Sequence, residues 1–275
     1  MATAKFKADS PYVKINEREH HATDWRQIRY LKGLALGDGG ANEDDQKTNS
    51  KVVNLGLFGL GRAGTIHLNN LLANREVKIK YIIDGDTAKC QSVKKQLNLD
   101  EITFLKPEET DILYKDASVD AVIVATPTYT HEEFITKSLE AGKAVFTEKP
   151  VSEDAEAVDR VYKLAAKMQK PLFCAFNRRF DPSFDDVRTK VRAGHLGQIQ
   201  QIKLTSRDSP LPSVAYLKIS GGIFHDCMVH DIDLMTYILG EYPIQVFTVA
   251  NAMIPEIAEL KDHDNVVSTF KFASG

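Results

Sequence analysis

The sequence predicts an α/β fold: a parallel sheet wound with helices on both faces, followed by an α+β domain built on a mostly antiparallel sheet. Three observations carry this. Short continuous apolar runs alternate with helix-length segments from residue 51 to 175, the pattern of βαβ units whose strands are buried on both faces. A glycine cluster stands where the first apolar run ends and a helix begins. After Phe176 the alternation stops, and a long apolar helix leads into runs rich in Val, Thr and Phe.

Taken in order, residues 52–58 form the first strand and a helix follows through Leu72. Residues 79–83 make the second strand, a charged helical segment comes next, and 121–125 is a third apolar run. A helix over 132–140, a strand over 144–147, a helix ending at Met168 and a strand over 172–175 complete the first domain. In the second, a helix over 222–239 precedes strands over 245–250 and 266–272. Three parts result: a polar extension over 1–50, a nucleotide-type α/β domain over 51–175, and an α+β domain over 176–275. In the extension Asp24 is placed to cap a short helix bearing Trp25, Ile28, Leu31 and Leu34 at helical spacing.

Composition narrows the function. The 275 residues are 43% hydrophobic and 27% charged, enough apolar material for a sizeable core. A net charge of −3 supplies no broad basic field, which argues against a nucleic-acid partner. Apolar runs such as 121–125 are far too short to span a bilayer, and the first residues lack the apolar stretch of a secretory signal. Cys90, Cys174 and Cys227 are odd in number and form no CxxC pair, which fits reduced thiols and a cytoplasmic protein.

The glycine cluster Gly59-Leu60-Gly61-Arg62-Ala63-Gly64 matches GxGxxG in the context that gives the motif meaning, a buried strand before it and a helix opening within it. Gly59 permits the tight turn, Gly61 lets the backbone approach a pyrophosphate, and Gly64 lets helix and strand pack closely. The helix N-terminus then offers free N–H groups and a positive dipole end. This pattern predicts a Rossmann dinucleotide site, a glycine turn without a ligand being the other reading. Asp84, about 20 residues beyond Gly64, is placed to accept from a ribose 2′-hydroxyl and to repel a 2′-phosphate. Neighbouring Gly85 and Asp86 offer no cation, so NAD is expected as the cofactor rather than NADP.

A second informative stretch runs from Gly221 to Tyr237. On an α-helix Asp226, His230, Asp233 and Tyr237 fall within an arc of about 60°, while Cys227, Met228, Val229, Ile232, Leu234 and Met235 cover most of the rest. A helix apolar nearly all round should be buried, where carboxylates and imidazole must be paired or functional. Asp226 and His230, at i and i+4, are spaced to hydrogen-bond, the carboxylate orienting the ring of a general base. A satisfied core network without chemistry is the other reading. A metal site on His225, Asp226 and His230 is disfavoured, because the two histidines point apart and no HExxH spacing is present.

Thr147-Glu148-Lys149-Pro150 follows an apolar run and so lies at the carboxyl edge of the sheet, where open α/β sheets bind ligands. Pro150 restricts Lys149 to extended geometry. From the residues alone, a surface lysine before a turn is the plainer reading. Thr126, Pro127 and His131 follow another strand at the same edge; they fit cofactor contacts, and fit a threonine-capped turn equally well.

At these residues the chain resembles the Gfo/Idh/MocA oxidoreductase family, from Lys51 to Gly275. The markers are the Gly59–Gly64 loop, Glu148-Lys149-Pro150, Phe176-Asn177-Arg178-Arg179-Phe180-Asp181, and Gly221-Gly222 followed by Asp226 and His230. Thr205-Ser206-Arg207-Asp208 and Tyr216-Leu217-Lys218 are most similar to the members that oxidise inositols. The resemblance implies Lys149, Asp226 and His230 as the catalytic set, with Arg178, Asp208 and Asp233 near a polyol substrate. The implied activity is NAD-dependent oxidation of one secondary hydroxyl of a cyclic polyol, with myo-inositol first. An NAD-binding regulatory protein of the same fold, or a dehydrogenase of another sugar or dihydrodiol, is the alternative. By resemblance only, the second-domain sheet is an association face and a homo-oligomer is expected. The resemblance also implies further strands in the second domain, so an incomplete domain, with 266–272 lacking its return strand, is expected here.

Overall fold

The computed structural model describes residues 52–274. The expected helix behind Asp24 lies outside the described residues.

Six parallel strands form the first sheet: β1 (Val53–Phe58), β2 (Val77–Ile83), β3 (Thr103–Leu105), β4 (Ala121–Val124), β5 (Ala144–Thr147) and β6 (Leu172–Cys174), in the order β3-β2-β1-β4-β5-β6. The helices between them are α1 (Arg62–Leu72), α2 (Thr87–Gln96), α3 (Asp111–Lys115), α4 (His131–Glu140) and α5 (Ala155–Met168). Alternate residues of one strand feed the two faces. Leu55 and Leu57 pack with Leu68, Ile79, Ile82 and Cys90 on one side, and Phe58 packs with Leu113, Val122, Val124 and Ile135 on the other. Full burial of side chains such as Leu57, Phe58 and Ile82 contributes roughly 1.5–3 kcal/mol each.

Aspartates start three of the longer helices. Asp86 accepts from Lys89 N–H at α2, Asp154 from Glu156 and Ala157 at α5, and Asp181 from Ser183 and Phe184 at α6 (Pro182–Arg192), which also has a proline in its first turn. Helix α1 starts differently: Gly61 is its N-cap, with no side chain capping it and no acid in its first turn. The strand order reverses between β1 and β4, so this bare N-terminus lies at the topological switch point.

Beyond β6, α6 packs on the helix α8 (Val229–Leu239), burying Leu234, Tyr237 and Ile238 against Phe184, Val191, Ile202 and Leu204. Gly240, at φ +76°, ends α8, a conformation that glycine adopts without Cβ strain. The last strands, β7 (Pro243–Asn251) and β8 (Asn265–Phe272), pair antiparallel through a connection that holds the short helix α9 (Pro255–Glu259). One edge of β8 is laddered along its length with β7. Ile244, Val246, Phe247, Val249 and Val267 of this ribbon are exposed. No helix among the described residues is long and apolar enough to cross a membrane.

One predicted element needs correction. The helix expected to run unbroken over 222–239 is helical there, but its turn Phe224–Met228 is a π-helix. The wider turn shifts everything before Val229 around the axis, so Asp226 leaves the polar stripe expected with His230, Asp233 and Tyr237.

Candidate active site

The glycine loop leaves β1 with Gly59 at φ +92°. A Cβ there would sit 2.4 Å from the Ala125 carbonyl oxygen, and one on Gly64 would sit 1.9 Å from the Gly59 oxygen; both positions are closed by backbone. A Cβ on Gly61 would meet nothing within 4 Å, so the open side of the loop is where an outside group approaches. Together with the uncapped N–H groups of α1, this fits a dinucleotide pyrophosphate. Asp84 borders the loop, accepting from Leu60 N–H at 2.6 Å and from Asp86 N–H at 2.8 Å. Each of its oxygens keeps a second lone pair for a ribose hydroxyl.

At the carboxyl ends of β4 and β5 a cleft opens, lined by Ala63, Thr126, Pro127, Glu148, Lys149, Tyr216 and Asp226 among others. The Lys149–Pro150 peptide is cis. Lys149 Nζ donates to Asp226 Oδ1 at 2.7 Å and to the Asp226 carbonyl at 2.8 Å, joining the sheet edge to the π-turn. An ammonium has three donors, so one remains for a ligand. The other oxygen of Asp226 accepts from the Tyr216 hydroxyl at 2.8 Å.

This corrects the expected Asp226–His230 pair. The π-turn directs Asp226 to Lys149 and Tyr216, and His230 Nδ1 is buried without a hydrogen-bond partner. The ring stands edge-on to Phe176 at 6.4 Å. Burial lowers the His230 pKa below the ordinary imidazole value, and the charges of Lys149 and Arg178 push the same way against Asp226 and Asp231.

Asp233 is 8% exposed and is held by Arg179 through Nε at 2.8 Å to Oδ2 and through Nη2 at 2.5 Å to Oδ1. Tyr237, on the next turn, donates to Asp185 at 2.9 Å. Arg178 is paired with Asp231, and Ser206 donates to the same Asp231 oxygen at 2.8 Å. Asp208 accepts from the Cys227 thiol at 3.8 Å.

His131 is only 1% exposed and borders the cleft. Its Nδ1 and Nε2 lie 2.8 Å and 2.9 Å from the carbonyls of Pro150 and Thr126, and burial lowers its pKa. The ring is a strut tying the Lys149–Pro150 segment to the loop after β4. Glu148 faces His67 of α1 at 2.7 Å; burial works upward on its pKa, but the bond and charge of His67 bring it below the usual carboxylate value. Thr126 hydrogen-bonds Thr130 across the turn at 2.7 Å.

Two residues were not assigned to the site by the sequence reading, in which Tyr216 enters only within the Tyr216-Leu217-Lys218 marker. Tyr216 reaches Asp226 because Gly221 and Gly222, at φ +80° and +81°, reverse the chain between them; a Gly-Gly pair is a readable turn signal, but not its partner. Asp231, between the expected polar positions, has no signal in helical periodicity.

Comparison with known proteins agrees with this architecture. Residues 53–176 match the family described as "Oxidoreductase family, NAD-binding Rossmann fold", and residues 184–275 match the "GFO/IDH/MocA C-terminal domain". The chain is 36% identical over 225 residues to an inositol 2-dehydrogenase of Rhizobium meliloti, covering 82% of this chain and 66% of that protein. It is 36% identical over 222 residues to a myo-inositol 2-dehydrogenase of Thermotoga maritima, covering 80% and 65%. The crystal structure of scyllo-inositol dehydrogenase from Lactobacillus casei with bound NAD(H) and scyllo-inositol superposes with a TM-score of 0.73 at 28% identity, covering 81% of this chain and 67% of that one. The chain thus spans about two thirds of the length of the relatives it matches. A parallel sheet with its glycine loop at the switch point, an antiparallel second part, and both family matches lead to one assignment: the chain belongs to the Gfo/Idh/MocA oxidoreductase family.

Proposed function

We propose that this chain carries out NAD-dependent oxidation of one secondary hydroxyl of a cyclic polyol of the inositol type. The observation that carries the reading is the Lys149–Asp226 pair in the cleft beside the glycine loop. Gly59 to Gly64, with the N–H groups of Arg62 and Ala63, would hold the pyrophosphate, and Asp84 the ribose. When bound, the nicotinamide supplies the hydride acceptor.

The residues of the chain do the rest. Lys149 gives its remaining N–H to the substrate oxygen and stabilises the charge that develops as the hydroxyl proton leaves. Asp226 compensates the ammonium and fixes its position. His230 takes the proton at Nε2, since Nδ1 is buried, and its lowered pKa keeps the ring neutral and ready as a base near pH 7. Arg178 and Asp208 flank the same region and are assigned to polyol hydroxyls. The inositol dehydrogenases among the relatives support the substrate class.

The test is NADH absorbance at a fixed enzyme concentration across a panel of inositol isomers and aldoses, with NAD binding measured separately. Turnover on one or more inositols is expected. NAD binding with no NADH from any polyol would overturn the catalytic reading in favour of a nucleotide-binding regulatory protein.

A further inference from the structure

The Asp226 carboxylate is the most heavily engaged group in the cleft, and one of its partners has no role in the reaction just described. Its Oδ1 is held by Lys149 and its Oδ2 by the Tyr216 hydroxyl, at 2.7 Å and 2.8 Å. Four residues further on, His230 Nδ1 is buried with no partner. At that spacing a buried imidazole nitrogen would ordinarily pair with the carboxylate, because an unpaired buried polar atom costs about 1–3 kcal/mol. Here the carboxylate has been taken first. Tyr216 is placed for this by α7 (Val214–Leu217), whose N-cap Ser213 accepts from Tyr216 N–H, and by the Gly221-Gly222 reversal. Asp262 secures the other end of the turn by accepting from Ile223 N–H at 3.1 Å.

We propose that Tyr216 is a positioning residue: by occupying Asp226 Oδ2 it keeps that carboxylate on Lys149 and away from the His230 ring. This rests on the functional reading above only for its consequence in turnover. The charged groups that face His230 are Lys149 from the sheet edge, Arg178 from the segment after β6, and Asp226 and Asp231 from its own helix; the uncharged Phe176 ring packs on its edge. Of these, Tyr216 controls the freedom of Asp226 alone. Without the phenol hydroxyl, Oδ2 turns toward the imidazole, favours its cation and raises the pH at which the ring becomes neutral.

The experiment is an NMR titration of His230 in the cofactor-free chain, assigned by its loss in His230→Gln, for wild type, Tyr216→Phe and Tyr216→Phe/Asp226→Asn. The expected result is an upward move of about one pH unit in Tyr216→Phe, abolished in the double variant. The acid limb of kcat/KM should move upward with it, so that Tyr216→Phe loses more activity at pH 6 than at pH 8. An unchanged His230 titration in Tyr216→Phe, or a shift that persists without the Asp226 charge, would overturn the proposal. Failure of the wild type to oxidise any polyol would instead overturn the functional reading, since the titration needs no substrate.

Discussion

Asp233→Ala is the perturbation that best separates the two roles this aspartate could play. The carboxylate is 7% exposed at its side chain and takes two N–H groups of Arg179, whose guanidinium lies over the rings of Phe176 and Tyr237 at 5.7 Å and 5.2 Å. Removing one partner of a buried pair leaves an uncompensated charge and costs about 3–5 kcal/mol. The two ring faces remain to the guanidinium, so the lower end, about 3 kcal/mol, is the better figure. At about 2–4 °C per kcal/mol for a protein of this size, Tm should fall by roughly 6–12 °C. Thermal unfolding followed by circular dichroism measures the loss, and KM for the polyol, taken well below the transition, should stay near wild type. A Tm drop under about 2 °C, or a raised KM at unchanged Tm, would refute the assignment of Asp233 to the core.

Three further outcomes are expected. His230→Ala should lower turnover by about 10²–10⁴-fold with NAD affinity nearly unchanged by calorimetry. In the wild type, because burial and the Lys149 and Arg178 charges depress the His230 pKa, kcat/KM should rise with pH along a limb centred below the ordinary imidazole value of 6.5; a limb above it would count against His230 as the base. Asp84→Ala should weaken NAD binding, by removing both the ribose acceptor and the carboxylate that accepts from Leu60 N–H, while improving NADP relative to NAD. An unchanged NADP-to-NAD ratio would place the selectivity elsewhere.

The first domain was largely legible because strands buried on both faces read as unbroken apolar runs, and because GxGxxG sits between a strand and a helix, where its glycines have distinct jobs. What escaped there was short: β3 has three residues, too few for a pattern. Helix α6 went unread although Asp181-Pro182 is a start signal with a mechanism, the carboxylate capping and the proline needing no N–H. In the site, Lys149 and Asp226 do meet at the cleft, but the partner expected for Asp226 was misjudged. Pairing Asp226 with His230 assumed 3.6 residues per turn, and periodicity cannot announce a π-turn. Asp226 shared a face with Asp233 only under the same assumption. Sequence gives the edge position of His131 but neither its depth nor its contacts with the Pro150 and Thr126 carbonyls.

The π-turn has a consequence for how such a site changes over time. Because one residue of register is worth about 100° of rotation, the pairing of Lys149 with Asp226 depends on how the helix is wound as much as on which side chains it bears. A chain could keep every one of these amino acids and lose the chemistry by regularising a single turn, or regain it by one insertion. Residue identity at Lys149, Asp226 and His230 is therefore an incomplete description of a working centre, and the winding between Phe224 and Met228 belongs to it as a further, unwritten member.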